Sequence, residues 1–383
     1  MKSSIYLDWN ATTPPHPEVL AVMLQVWEQG WANPASVHGP GRKARAQVDR
    51  AREAVAALAG APFEARDVVL TSGGTEANNL ALAHVFGTPG GALVTSRIEH
   101  PSIVRAAEAL ADRGVVVVWV APEASGRIAP EAVAEAIDRA QQTAEVRLIT
   151  LQAVNHETGV VQPVAEIAAI AHARGARLHV DAVQALGRLD PEAWRGADLL
   201  AVAAHKLRGP KGIGALIPRP GVALRPLLFG GAQERGLRPG TQDAAAAAGF
   251  AVAADRAAEG PRRYAAVAPL RDHLERGLLG LAIPSPPIRN GEAPRAPHVI
   301  NLSWPGWRGD ELCAALDLEG VAVSSGSACA AGTAEPSPVL WAMVGEARAA
   351  SAVRVSLGEE TTAAEVDEAL ARWARVVARR PLR

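Results

Sequence analysis

The chain has 383 residues, 49% of them hydrophobic and 21% charged, with a formal net charge of -1 at pH 7. That length carries a large core without staples, and near-neutrality without a run of like charges leaves no footprint for nucleic acid or a membrane surface, so neither is expected as a partner. Two cysteines, Cys313 and Cys329, exclude a disulfide framework and a four-thiolate zinc site, no metal is expected, and with no long apolar leader the reading is an unexported protein of the reducing cytoplasm.

From about residue 67 to 217, short β-rich apolar runs alternate with alanine-rich amphipathic segments, the pattern of an α/β fold with a mostly parallel sheet flanked by helices. Strands are expected at "DVVLTS", "GALVTS", "GVVVVWVA", "VRLITLQ", "ARLHVD", "DLLAVAA" and "GIGALI". Helices are expected between them at "EANNLALAHVF", "PSIVRAAEALADRG", "PEAVAEAIDRA" and "PVAEIAAIAHARG", several opening on Pro or a capping residue and closing at Gly. The glycine-rich "FGGAQERGLRPGTQD" precedes an alanine-rich helix near 243–259, and "GPRRYAAVAPLRDHLERGLLGL" reads as another helix. The remainder regains β-α character at "PHVINLSW", "GDELCAALDLEG", "VAVSSGSACAAG" and "VRVSLG", as a smaller second domain would.

In an open parallel sheet, ligands sit beyond the carboxyl ends of the strands. Five apolar runs break there into polar groups: Thr71–Thr75, Ser96–His100, Gln152–Glu157, Asp181–Gln184 and His205–Lys206. In "TSGGTEANN", two glycines and Thr75 join a strand to a helix start, where backbone N–H groups can receive an anion; an ordinary glycine turn reads equally well. In "LHVDAVQ", Asp181 ends a buried strand, where a carboxylate needs a cation or a donor such as a protonated pyridine nitrogen; a helix cap is the plainer reading.

Four of the 39 basic residues are lysines, Lys2, Lys43, Lys206 and Lys211. Two of them fall in "AVAAHKLRGPKG", in a chain that otherwise uses arginine. Only a primary amine condenses with an aldehyde, so Lys206 has a role arginine cannot fill. A lysine of ordinary pKa needs roughly 4.6 kcal/mol to be neutral at pH 7, which burial or a neighbouring cation must supply. Lys211 in "GPKG" suits a phosphate or loop closure.

Taken in order, "YLDWNATTPPHPEV", "NPASVHGPGRKA", "TSGGTEANN", "EHPS", "VNHETG", "HVDAVQALG", "AHKLRGPKGIGAL", "GGAQERGLRPGT", "SSGSACAAG", "PSPVL" and "VRVSLGEETT" resemble the fold type I pyridoxal phosphate enzymes of the class V aminotransferase group, and within it the cysteine desulfurases. The resemblance implies a large cofactor-binding domain over 15–258 and a small domain formed by 1–14 and 259–383. It implies that Lys206 carries pyridoxal 5'-phosphate and moves the substrate Cα proton. His100 would stack on the ring and exchange a proton with substrate, Asp181 would pair with the ring nitrogen, and Asn155 and Gln184 would contact the ring oxygen. Gly74, Thr75 and His205 would meet the phosphate, with Thr241 reaching in from a partner subunit, which implies a homodimer. Arg354, helped by Asn33, would clamp the carboxylate of L-cysteine. Two departures stand out: Ala203 replaces the usual phosphate-binding serine, which is expected to remove one hydrogen bond, and His156 stands where Asn is common, expected behind the residues that touch the ligand.

Cys329 lies among small residues that favour a mobile exposed loop. An ordinary thiol is about three per cent thiolate at pH 7, so attack needs activation from the site. By resemblance Cys329 takes sulfur from L-cysteine as a persulfide, leaving L-alanine, and passes it to an acceptor protein. The long segment between Cys329 and Arg354 resembles the group with a mobile catalytic loop that serves iron-sulfur cluster assembly and tRNA thiolation. Cys313, sharing an apolar helix face with Leu312 and Leu316, reads as inert core. Another class V enzyme, an aminotransferase or selenocysteine lyase, would share Lys206 and Asp181 without needing Cys329, and a silent scaffold would need neither.

Overall fold

The computed structural model describes residues 4–86, 90–325 and 336–379. After a short strand β1 (Ile5–Tyr6), the chain forms α1 (Pro17–Gln29) and α2 (Gly39–Ala59). Histidines cap both: His16 Nδ1 accepts from Glu18 N at 3.3 Å and His38 Nδ1 from Gly41 N at 3.2 Å. Neither helix is among the sequence expectations. The second is arginine-rich, yet buries Ala44, Val48, Ala51, Val55 and Ala59 along one stripe at three- and four-residue spacing.

The central unit then follows in order: β2 (Val69–Thr71), α3 (Gly74–Phe86), β3 (Ala92–Ser96), α4 (Pro101–Ala111), β4 (Val116–Val120), α5 (Pro130–Ala140), β5 (Val146–Gln152), α6 (Val164–Ala173), β6 (Arg177–Asp181), β7 (Leu199–Ala203) and β8 (Gly214–Pro218). All seven expected strands are present, in the order β2-β8-β7-β6-β5-β3-β4. Only β8 runs against its neighbours, so the sheet is mostly parallel. The carboxyl ends of β2, β3, β5, β6 and β7 therefore lie along one edge. The strand order reverses between β3 and β5, where a ligand crevice is expected to open.

The alanine-rich helix α7 (Ala244–Ala257) is buried along almost its whole length and packs on α1 and α2, because its methyl side chains allow close approach. Beyond α8 (Gly260–Leu279) come β9 (Ile288–Arg289), β10 (Val299–Ser303), α9 (Gly309–Leu318), β11 (Val321–Ala322), α10 (Pro338–Val344), α11 (Glu346–Ala350), β12 (Ala352–Ser356) and α12 (Ala363–Ala378). Strand β10 pairs antiparallel with β9 and β12, while β11 pairs parallel with the N-terminal β1. Ile5 and Leu7 thus pack into a second apolar cluster with Ile300, Leu312, Leu316 and Val353. Trp304 and Trp373 stack inside it with ring centroids 5.2 Å apart. No helix among the described residues is long and apolar enough to cross a membrane.

Candidate active site

Asp181, the last residue of β6, is 7% exposed, and both of its oxygens are engaged. Oδ1 accepts from Val183 N at 3.0 Å and Oδ2 from Asn78 Nδ2 at 2.8 Å. The helix-cap reading is met only in part: Oδ1 caps a turn at Val183 N, and the segment after it is turn rather than helix. Asn78 Nδ2 donates in addition to Ser102 Oγ at 2.9 Å, which lies 2.8 Å from His100 Nδ1. His100 caps α4, its Nδ1 accepting from Ser102 N at 3.1 Å. Burial holds the His100 imidazole below its ordinary pKa; Asp181 pulls it up and Lys206 pushes it down.

Lys206 ends a short 3-10 turn that follows β7. Its Nζ donates to the carbonyls of Asn10 and, at 2.8 Å, Ala11. Asn10 is a hub. Its carbonyl also accepts from Gln184 Nε2 at 3.0 Å, its Nδ2 donates to His156 O at 3.2 Å, and its Oδ1 faces His298 Nε2 at 2.9 Å. Behind Lys206, the 1% exposed Arg188 donates Nη2 to Lys206 O at 3.1 Å and Nη1 to Gln184 Oε1, with its guanidinium over the Tyr264 ring. His205 Nδ1 lies 3.1 Å from Thr12 Oγ1, and burial, with Lys206, Arg188 and Lys211 adding, lowers its pKa to about 4, so the ring is neutral at pH 7.

Arg354, on β12, is 3% exposed; Nη2 donates to Asp8 Oδ1 at 2.8 Å and Nη1 to His156 O at 3.1 Å, while Nε is buried without a partner. His156 O thereby joins Arg354 to Asn10 and, through it, to Lys206. The His156 ring packs edge-on against His100, centroids 5.3 Å apart, and burial drives its pKa well below the ordinary value. His156 therefore packs directly against the His100 imidazole. Asn155 is fully buried, its Oδ1 accepting from Glu157 N, Thr158 N and Thr158 Oγ1 and its Nδ2 donating to Ile98 O at 3.1 Å. That leaves one amide proton for a ligand.

Gly74 and Thr75 open α3 at the same edge, and a Cβ on Gly74 would come within 2.8 Å of Val183 Cγ2 and 3.7 Å of Ala203 Cβ, so that position admits backbone only. Asn33 and Thr241 are exposed, outside this buried cluster; Asn33 Oδ1 is spent on Ala35 N at 2.9 Å. Lys211 is exposed. Cys313 is partly buried on α9 against the second apolar cluster, as expected, and burial pushes its thiol up to about 12. Cys329 lies outside the described residues. Sequence reasoning missed Asp8, Asn10, Asn78, Ser102 and Arg188 as site residues. Asp8 and Asn10 stand in "YLDWNATT" and Asn78 in "TSGGTEANN", but their polar character alone does not distinguish them from ordinary turn residues.

A family model described as Aminotransferase class-V matches residues 5–369. A protein named cysteine desulfurase from Bradyrhizobium diazoefficiens is 39% identical over 386 residues, covering 99% of this chain and 95% of that one. Another of that name from Frankia sp. is 42% identical over 391 residues, covering 98% and 91%. Among solved structures, a NifS-like protein aligns with a TM-score of 0.88 at 31% identity, covering 98% of this chain and 99% of that one. A structure described as SspA in complex with cysteine aligns with a TM-score of 0.80 at 32% identity, covering 94% and 100%.

Proposed function

The chain belongs to the class-V aminotransferase family and is a pyridoxal-phosphate-dependent cysteine desulfurase, and from that premise we propose that it takes sulfur from L-cysteine onto Cys329 as a persulfide and delivers it to an acceptor protein for iron-sulfur cluster assembly or tRNA thiolation. The observation that carries this reading is the hub at Asn10, which ties an amine, Lys206, to a buried guanidinium, Arg354, beside the carboxylate network of Asp181.

The residues fit pyridoxal phosphate. Lys206 is a primary amine at the sheet edge, Asp181 is a partly screened carboxylate whose remaining lone pairs suit a protonated ring nitrogen, and Gly74 leaves room at the start of α3 for a phosphate. When bound, the cofactor supplies an electron sink for a carbanion at the substrate Cα. Asp181 would hold the proton on the ring nitrogen, His100 would cover the ring, and Asn155 and Gln184 would contact the ring oxygen. Gly74, Thr75 and His205 would receive the phosphate, with Thr241 of a second copy. Arg354, with Asn33, orients the substrate carboxylate, and Lys206 Nζ takes and returns the Cα proton.

The sulfur step balances without an external oxidant. The Cys329 thiolate forms a bond to the substrate sulfur as the substrate Cβ–S bond breaks. The electron pair stays with carbon, which takes up a proton to give alanine, and Cys329 is left as the persulfide.

We assign residues 15–258 to a large unit and 1–14 with 259–383 to a smaller one; the pairing of β1 with β11 supports grouping the termini. Leu20, Leu24 and Trp27, each more than half exposed along one face of α1, together with Phe229 at 89%, support a homodimer that covers them. We place the protein in the reducing cytoplasm, where a free reactive thiol persists.

The test is to incubate cofactor-loaded protein with L-cysteine and follow alanine release, intact mass and the peptide containing Cys329. A one-sulfur mass gain on Cys329 with matching alanine, both lost in Cys329→Ser, is the expected result. Bound cofactor with neither product would overturn the sulfur-transfer reading.

A further inference from the structure

The hydrogen bonds between Asp181 and His100 have a direction. An ionised carboxylate only accepts, so the Asn78 atom 2.8 Å from Asp181 Oδ2 must be its NH2 group; the opposite amide orientation would set oxygen against oxygen. The same nitrogen gives its second proton to Ser102 Oγ at 2.9 Å. With a donor on that oxygen, the Ser102 hydroxyl points its own proton to His100 Nδ1, 2.8 Å away. The backbone N–H of Ser102, which can only donate, aims at the same Nδ1 at 3.1 Å. Two donors converge on Nδ1, so the neutral ring carries its proton on Nε2. Asn78 is 1% exposed and its Oδ1 is buried without a partner. An unmet buried carbonyl costs on the order of 1–3 kcal/mol, so what this side chain contributes is its two donated protons.

We propose that Asn78 is a positioning residue which, through Ser102, fixes His100 as the Nε2–H tautomer, so that His100 meets the bound cofactor and substrate as a hydrogen-bond donor and not as a base. The single ring lone pair is already engaged on Nδ1, which leaves Lys206 to take the Cα proton. This rests on the reading of Asp181 and His100 as cofactor neighbours. Asp181 from β6, Lys206 from the turn after β7 and His156 from the β5–α6 connection face the ring; burial outweighs the pull of Asp181, which keeps the ring neutral and agrees with the relay.

The experiment is a long-range 1H–15N imidazole spectrum of protein with 15N-labelled histidine, cofactor-free and loaded, with His100 assigned from its loss in His100→Gln. The expected spectrum at pH 7 shows an unprotonated Nδ1 and a protonated Nε2 in both forms. In Asn78→Leu the two nitrogens average and the ring protonates at a higher pH than in the wild type, whereas Ser102→Thr, which keeps the hydroxyl, retains the wild-type pattern. A wild-type His100 protonated on Nδ1, or an Asn78→Leu spectrum and titration identical to wild type, would overturn the proposal. If Asn78→Leu does not fold, the wild-type spectrum alone decides. Cofactor loading that leaves the His100 resonances unmoved would sink the placement of His100 at the cofactor while the tautomer assignment stood, so the two failures are distinguishable.

Discussion

Arg354 Nη2 donates to Asp8 Oδ1 at 2.8 Å, joining positions 346 residues apart. The guanidinium side chain is 3% exposed and the carboxylate 17%. Asp8 meets only one nitrogen of the fork, and Nε stays buried without a partner. An incoming substrate carboxylate thus finds donors available but shares the cation with an internal anion. Asp8→Asn keeps an oxygen near Nη2 and removes the competing charge. The expected result is a KM for L-cysteine roughly three- to tenfold lower with kcat little changed, since about 1 kcal/mol of charge competition is relieved. Steady-state kinetics measure it, and an unchanged or raised KM would show that Asp8 serves to hold Arg354 in place.

Ala203 ends β7 at 3% exposure, close to the start of α3. Ala203→Ser adds a hydroxyl where the methyl lies near Gly74, at the edge assigned to the phosphate. One added hydrogen bond to a charged group is worth about 1.5 kcal/mol or more, so the Kd for the cofactor should fall roughly tenfold in the variant. Spectrophotometric titration of cofactor-free protein with pyridoxal phosphate measures the change. No tightening would mean that another donor already serves that oxygen.

The two cysteines should differ sharply in reactivity. Burial, with Asp8 adding, pushes the Cys313 thiol from 9.0 up to about 12. Its thiolate fraction at pH 8 is then smaller by on the order of a thousandfold. Iodoacetamide applied to the folded protein should leave Cys313 unmodified, and peptide mapping in urea should show it react at an ordinary rate. Labelling of Cys313 in the folded state would mean that α9 opens readily.

The sheet was legible because its strands are β-branched runs closed by capping residues, a local signal. Asp181 and Lys206 were legible for another reason: a carboxylate ending a buried strand and a lysine in an arginine-rich chain are each costly or rare unless used. The remainder of the site depends on long-range proximity. Asn10 meets Lys206 across 196 residues and Asp8 meets Arg354 across 346. An asparagine in a glycine-flanked helix start carries nothing that says its amide will bridge Asp181 to Ser102. Helix α2 escaped notice because its arginines mask a stripe made mostly of alanine, whose apolar signal is weak.

His179 gives the stability profile a predictable acid limb. It is fully buried on β6, with Nδ1 2.8 Å from Thr150 Oγ1 and Nε2 without a partner, and burial lowers its pKa to about 4. The unfolded chain binds a proton at this residue near pH 6.5 and the folded chain only near 4, so its contribution is complete above pH 6.5 and drains as the pH falls to 4. Over that window it amounts to roughly 3 kcal/mol. Buried His156 and His298 act in the same sense, whereas Glu99 and Glu157, raised by burial, act in the opposite one. The raw slope is therefore a difference, and a variant isolates the histidine. His179→Gln keeps a polar partner for Thr150 and does not titrate. Urea unfolding of both proteins at pH 7, 6, 5 and 4.5 should show the wild type losing its advantage over the variant by about 2–3 kcal/mol as the pH falls. A gap that stays constant with pH would mean that His179 titrates alike in the folded and unfolded chains.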